Sequence, residues 1–167
     1  SQVIELTQTS ALTFLGYDLG NAKLLLLREA FKRAATVLLY RLGAGDKATK
    51  LEGGVTVTAL YGGTRGNAIN VVSKASVDLL GSYEVETFLD GRSVDVQTAK
   101  KVEDLTSNRL VSFGGTGALS AFTTVLEGGT DSTVTIQDYS AAFEKIQLFD
   151  FNTLALPVSD QATKTAG

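Results

Sequence analysis

The chain has 167 residues, of which 44% are hydrophobic and 20% charged, with a net charge of −3. That is enough length for one compact domain or two small ones, and enough to bury a core without a covalent staple. Lys and Arg are scattered among Asp and Glu, so no basic stripe marks a nucleic-acid surface, and the longest apolar run, LLLL at 24–27, is far short of a membrane span.

In chain order, the opening SQVIELTQTS has neither the basic region nor the long apolar stretch of a secretory leader. Val3, Glu5 and Thr7 alternate there as in a strand. ALTFLGY at 11–17 is an apolar strand candidate. NAKLLLLREAFKRAA at 21–35 carries helical periodicity. Leu24, Leu27, Phe31 and Ala34 form one stripe, widened by Leu26 and Ala30, and Asn21 is the N-cap. TVLLYRL at 36–42 holds four consecutive apolar residues, a pattern suited to a parallel strand covered on both faces. Strand, helix and strand together predict a βαβ unit.

The middle of the chain reads differently. GAGDKATK at 43–50 is a polar connection. Short runs bounded by turn residues follow at 54–61, 68–74, 82–89, 92–102, 109–114 and 119–126, rich in Val, Thr, Tyr and Phe. Asp90-Gly91 between two of them predicts a two-residue hairpin, and 102–107 predicts one helical turn. LEGGTDS at 126–132 is a turn. Thr135 with Asp138 three residues on predicts a capping box, and Tyr139, Ala142, Phe143 and Ile146 form a helical stripe. FNTLALPV at 151–158 is a further strand candidate, ended by the only proline.

The expected organisation is therefore α+β. Residues 1–44 begin a partial α/β layer, 45–126 form an inserted antiparallel β sandwich or barrel-like domain, and 127–167 return to the layer. Leu39 and Leu156 are expected in its buried part.

Absences restrict the chemistry. There is no Cys and no His. Thiolate nucleophiles, zinc–thiolate sites and a Ser-His-Asp triad are excluded, and metal sites lose their commonest ligand. Asp and Glu total 18, but no pair is singled out by spacing. No catalytic, cofactor or metal site is assigned. There is also no Met, and the chain is expected to be a trimmed or engineered piece of something longer.

Two glycine motifs raise the question of phosphate binding. GGTRGN at 62–67 lacks the GK[ST] ending of a phosphate loop, fails the GxGxxG spacing and joins two β-like runs. GGTG at 114–117 sits between strands. Both read as turns in which Gly and Asn supply positive φ. Gly62, Gly63, Gly66 and Asn67, with Gly128 and Gly129 in the second block, are taken as structural turn residues, and Arg65 as a solvated one.

ALYGGTRGNAINV at 59–71 resembles the A-x-Y-x-G-x-x-G-N-x-I-x-V signature of contractile-tail sheath proteins of myophages, defective prophages and phage-tail-like bacteriocins. LREAFKRAATVLLYRL at 27–42 resembles the family's helix and following strand. RLVSF at 109–113 is similar to the segment closing the inserted β domain, and 126–157 is similar to its L-x-GG-x-D-G … DY-x-x-A … N-x-x-A-x-P block. The proline often found before the first glycine is absent, since Gly62 follows Tyr61 directly. The chain also stops where family members continue, and so resembles an N-terminal fragment.

The resemblance implies a structural subunit. It would assemble with other sheath subunits as hexameric rings around a tail tube, respond to a baseplate, and contract by subunit rearrangement without nucleotide hydrolysis, cofactor, nucleic-acid contact or membrane insertion. It implies a place in the virion tail or tail-like particle after synthesis in the bacterial cytoplasm. It also places the tube-contacting and lattice-forming parts largely in a C-terminal domain and in exchanged terminal arms; the opening SQVIELTQ strand has no obvious acceptor here, and these residues are expected to associate weakly by themselves. A β-rich binding or adhesin module without catalysis is the alternative, although there is no Trp to stack on a sugar. A carboxylate-based hydrolase and a doubly wound nucleotide-binding domain have less support.

Overall fold

The computed structural model describes residues 3–10, 17, 19–43 and 45–155. Its contacts divide the chain into two compact units. One comprises the described residues of 1–44 and 133–167, the other Gly45–Ser132.

In the first unit, strand β1 (Val3–Leu6) pairs antiparallel with β2 (Val37–Tyr40), Val3 opposite Tyr40 and Leu6 opposite Val37. Between them a 3-10 turn (Ala22–Leu24) leads into helix α1 (Leu25–Phe31). Asn21 caps this start by accepting a hydrogen bond from the Lys23 amide at 3.0 Å. The helical stripe closes a small core of Leu6, Leu27 and Phe31, against which Ile4, Leu19, Leu24, Val37 and Leu39 pack. Leu26 lies outside it and is exposed.

The opening strand therefore has an acceptor within its own chain, and its inward set is Ile4 and Leu6. The parallel-strand reading of 37–40 is corrected. This strand pairs antiparallel with β1, and its four residues are each half-buried, Val37 and Leu39 packing on the small core. The 11–17 candidate falls almost wholly outside the described residues, as does Leu156. Residues 151–155 are exposed and belong to no strand. Helix α2 (Ile136–Ile146) begins at the capping box. The Thr135 amide donates to Asp138 Oδ2 at 2.7 Å, and the Asp138 amide returns to Thr135 Oγ1. Ala142 is buried and Tyr139, Phe143 and Ile146 are half-buried, so the predicted stripe is the covered one.

The second unit is an antiparallel sandwich of two sheets. β3 (Thr49–Glu52), β4 (Val55–Ala59) and β8 (Val111–Gly114) form one, in the order β3-β4-β8. β7 (Arg92–Ala99), β6 (Tyr83–Leu89), β5 (Ile69–Ala75) and β9 (Phe122–Val125) form the other, in the order β7-β6-β5-β9. The sheets remain separate, which makes the unit a sandwich and not a barrel. Alternation along β4, β5 and β9 sends every second side chain inward. Val55, Val57 and Val111 from one sheet meet Val71, Val85 and Phe122 from the other in a common core. Asp90 and Gly91 both take positive φ, 52° and 74°, as a two-residue hairpin between β6 and β7 requires. Residues 102–104 form the expected helical turn. β3 was not predicted: TKLE is polar and mostly exposed, so the strand exists through its pairing with β4 and not through burial.

Candidate functional site

The two glycine blocks, far apart in sequence, meet where the sandwich chain enters and leaves. At entry, Asp46 bridges Thr130. The Asp46 amide donates to the Thr130 carbonyl at 3.1 Å, and Thr130 Oγ1 donates to Asp46 Oδ2 at 2.6 Å. The Gly63 amide donates to the Asp46 carbonyl at 2.9 Å, tying the GGTRGN motif to the same point. Asn67 and Gly129 exchange two hydrogen bonds, Nδ2 to the Gly129 carbonyl at 2.9 Å and the Gly129 amide to Oδ1 at 2.8 Å. Thr64 offers its amide and its hydroxyl to the two oxygens of the Asp131 carboxylate, at 2.9 and 2.7 Å.

The glycines are required here by close approach and by backbone angle. A Cβ on Gly66 would stand 2.8 Å from the Ala48 Cβ, and one on Gly129 only 2.5 Å from the Gly63 carbonyl oxygen. Gly63 has φ 118° and Gly128 φ 80°, conformations that side chains resist. Gly62 is half-buried at the start of the motif, and residues 64–68 wind into a 3-10 turn. All six glycine and asparagine positions of the two blocks thus fall in or beside one closure.

Arg65 is not merely solvated. Its Nη1 and Nη2 donate to the two oxygens of Asp90 at 2.8 and 2.6 Å, fastening the motif to the β6–β7 hairpin. The hydrogen bond from Arg65 holds the Asp90 carboxyl below its ordinary range, with burial opposing and the Arg65 charge adding to the effect. Beside the closure, Glu127 hydrogen-bonds and pairs with Lys50 and raises its pKa.

This arrangement leaves little to bind an anion. A phosphate cradle needs free amides converging on a cavity. Here the Gly63 amide is engaged by Asp46, the Gly66 amide by the Gly63 carbonyl, and the Thr64 amide by a carboxylate. The GGTG loop is engaged likewise, with the Gly117 amide donating to Glu103. Among the described residues no three potential metal ligands gather, and no helix is long and apolar enough to cross a membrane. Sequence reasoning missed Asp46, Thr130 and Asp131, whose partners lie 67 to 84 positions away. Local spacing carries no signal for such pairs.

Fold and closure together define a structural module: an antiparallel sandwich whose chain ends are locked by its own glycine motifs. Residues 31–131 match the phage tail sheath protein beta-sandwich domain, and residues 1–42 match the tail sheath protein Gp18 domain III N-terminal region. The chain belongs to the phage tail sheath family. It is 42% identical over 165 residues to YqbK of Bacillus subtilis, named as an uncharacterized protein, covering 87% of this chain and 35% of that one. It is 38% identical, with the same coverage, to XkdK of the phage-like element PBSX in Bacillus subtilis. Among solved structures, the sheath tail protein of Desulfitobacterium hafniense superposes with a TM-score of 0.92 at 42% identity, covering 98% of this chain and 40% of the other. That of Listeria innocua gives 0.87 at 37% identity, covering 99% and 39%. The chain thus spans 35% to 40% of the length of these relatives.

Proposed function

We propose that this chain is the part of a contractile sheath subunit that carries the inserted sandwich, within a protein that surrounds a tail tube and contracts by rearrangement of subunits. The observation that carries this reading is the closure itself. The stretches that resemble the sheath signature, 59–71 and 126–132, are the ones that hydrogen-bond across the neck of the sandwich. In this reading Gly62, Gly63, Gly66, Asn67, Gly128 and Gly129 serve structure alone and hold no ligand. Residues 1–44 and 127–167 are the first and returning parts of one core that the sandwich interrupts.

Contraction of this kind needs no reactive side chain. A metastable lattice converts when its subunits gain better contacts, so neither catalysis nor a cofactor is required. Partners are other copies in hexameric rings, the tail tube and the baseplate, in a tail assembled from protein made in the bacterial cytoplasm. Negative-stain electron microscopy of the full gene product tests the proposal: tubes of stacked rings are expected, and uniformly dispersed monomers under all conditions would refute it. Thermal melting checks the absence of ligands. A shift of several degrees with ATP, zinc or EDTA would count against a purely structural role.

A further inference from the structure

The end of the sandwich opposite the neck carries an unusual loop. β5 runs seven residues from Ile69, beside the closure, to Ala75, a distance of about 20 Å. There the chain turns through SVDLLGS, residues 76–82, before β6. Val77 is 93% exposed, Leu80 99% and Leu79 56%. The loop is nevertheless held in shape. The Ser76 amide donates to the Ser82 carbonyl at 2.9 Å, the Ser82 amide to the Leu79 carbonyl at 3.0 Å, and the Leu79 amide to Ser76 Oγ at 3.3 Å. Gly81 supplies the positive φ of 76° that the turn needs. Three aliphatic side chains are thus presented on a tip whose backbone is already braced, which lowers the ordering cost a contact must meet.

The size of the tip decides what could cover it. Three such side chains offer on the order of 300 Å², whereas a specific interface between two free proteins buries about 1,200 Å² or more. The tip cannot hold a soluble partner by itself. It suits a contact repeated many times, in which other interfaces keep the copies together and raise the effective concentration. A lipid surface is disfavoured, because the exposed Asp78 between Val77 and Leu79 would be carried into the headgroup layer and repelled by anionic lipid.

We infer that the Val77–Leu80 tip packs on a neighbouring copy of this protein in the assembled sheath, as a head-to-tail contact that repeats along the lattice. The inference rests on the sheath reading above, and the test separates the two. These 167 residues contain no cysteine, so Leu80→Cys, in a full gene product with any cysteine outside them replaced by Ser, places a single thiol at the most exposed point of the tip. Its rate of modification by a maleimide is measured in dissociated subunits and in assembled tubes. A fall of tenfold or more on assembly, together with a raised critical concentration for the double variant Val77→Asp, Leu80→Asp, is the expected result. Tubes that form while the thiol reacts at the dissociated rate would overturn the tip contact and leave the sheath reading standing. Protection that appears only with tail tube, baseplate protein or lipid vesicles would overturn the assignment to a second copy. Failure of the unaltered protein to form tubes would overturn the sheath reading, and this contact with it.

Discussion

Asn67 and Gly129 stand 62 positions apart in the chain, and each satisfies the other with one donor and one acceptor, at 2.9 and 2.8 Å. Gly129 is buried, so removing the Asn67 side chain leaves an amide and a carbonyl with no partner. Asn67→Ala should destabilise the sandwich by about 1–3 kcal/mol. Asn67→Asp keeps an acceptor for the Gly129 amide but sets a carboxylate oxygen against the Gly129 carbonyl, and should be no less costly at neutral pH. Urea unfolding followed by circular dichroism measures both; a loss below about 0.5 kcal/mol in Asn67→Ala would contradict the account.

The adjacent glycines of the second block should respond differently to the same change. A Cβ on Gly129 would clash with the Gly63 carbonyl at 2.5 Å, whereas one on Gly128 meets open space and only the positive φ opposes it. Gly128→Ala should cost about 1 kcal/mol and Gly129→Ala clearly more, roughly 1–3 kcal/mol from overpacking added to lost closure hydrogen bonds. A ranking in the other order would show that the neck yields more easily than its geometry implies.

The Arg65–Asp90 pair should matter little to stability but give a recognisable pH dependence. Its side chains are 27% and 55% exposed, so solvent screening keeps the pair's worth within about 0.5 kcal/mol. The Asp90 carboxyl is held below its ordinary value by Arg65. Its contribution is therefore complete above the unfolded value of about 3.9 and fades as pH falls through the lower folded value. Wild type and Arg65→Ala should differ slightly at neutral pH and converge as pH drops below about 4. Denaturation curves that stay parallel down to strongly acid pH would exclude the pair as the source.

Residues 45–132 should fold when excised. The sandwich core, from Ala48 to Leu126, lies wholly within them, and the chain ends are already joined by the Asp46–Thr130 bridge. A single cooperative thermal transition is expected, with dispersed amide resonances. A molten, non-cooperative profile would show that the flanking segments are needed for stability.

In the first unit, Leu6 is completely buried and Leu39 only half so. Leu6→Ala should cost about 2–4 kcal/mol, and Leu39→Ala less than half as much. Chemical denaturation of both variants decides, and equal losses would place Leu39 deeper than its surroundings indicate.

What could be read from sequence was mainly local. Asp90-Gly91 signals a hairpin because positive φ at both positions suits few other pairs. Thr135 and Asp138 signal a helix start because the capping box closes within four residues. The alternating strands of the sandwich were legible because one face of each is buried. Three features were not. Thr49–Glu52 is a strand by pairing alone, with no buried face to pattern it. Val37–Tyr40 resembles a two-sided strand because an unbroken apolar run does not say which strand it will meet, and it meets Val3–Leu6 in antiparallel fashion. The closure joins Gly63, Asn67 and Thr64 to residues more than sixty positions away. The sequence marks those glycines as special without saying what they approach.

The neck also constrains the order in which the protein can be made. Its bonds join Asp46 to Thr130 across 84 positions, whereas β5, β6 and β7 follow one another as a meander of neighbouring hairpins. Closing a long loop has an entropic cost that short hairpins avoid. On a ribosome Asp46 emerges long before Thr130, and its amide and carboxylate must wait for that partner while the meander takes shape. The closure is therefore a late event of folding, and the Gly129 amide should gain protection after those of β6 in a pulse-labelling experiment. A copy released early, or stalled before Gly129, would hold most of its strands without the bonds from Asn67 and to Thr130 that lock its neck.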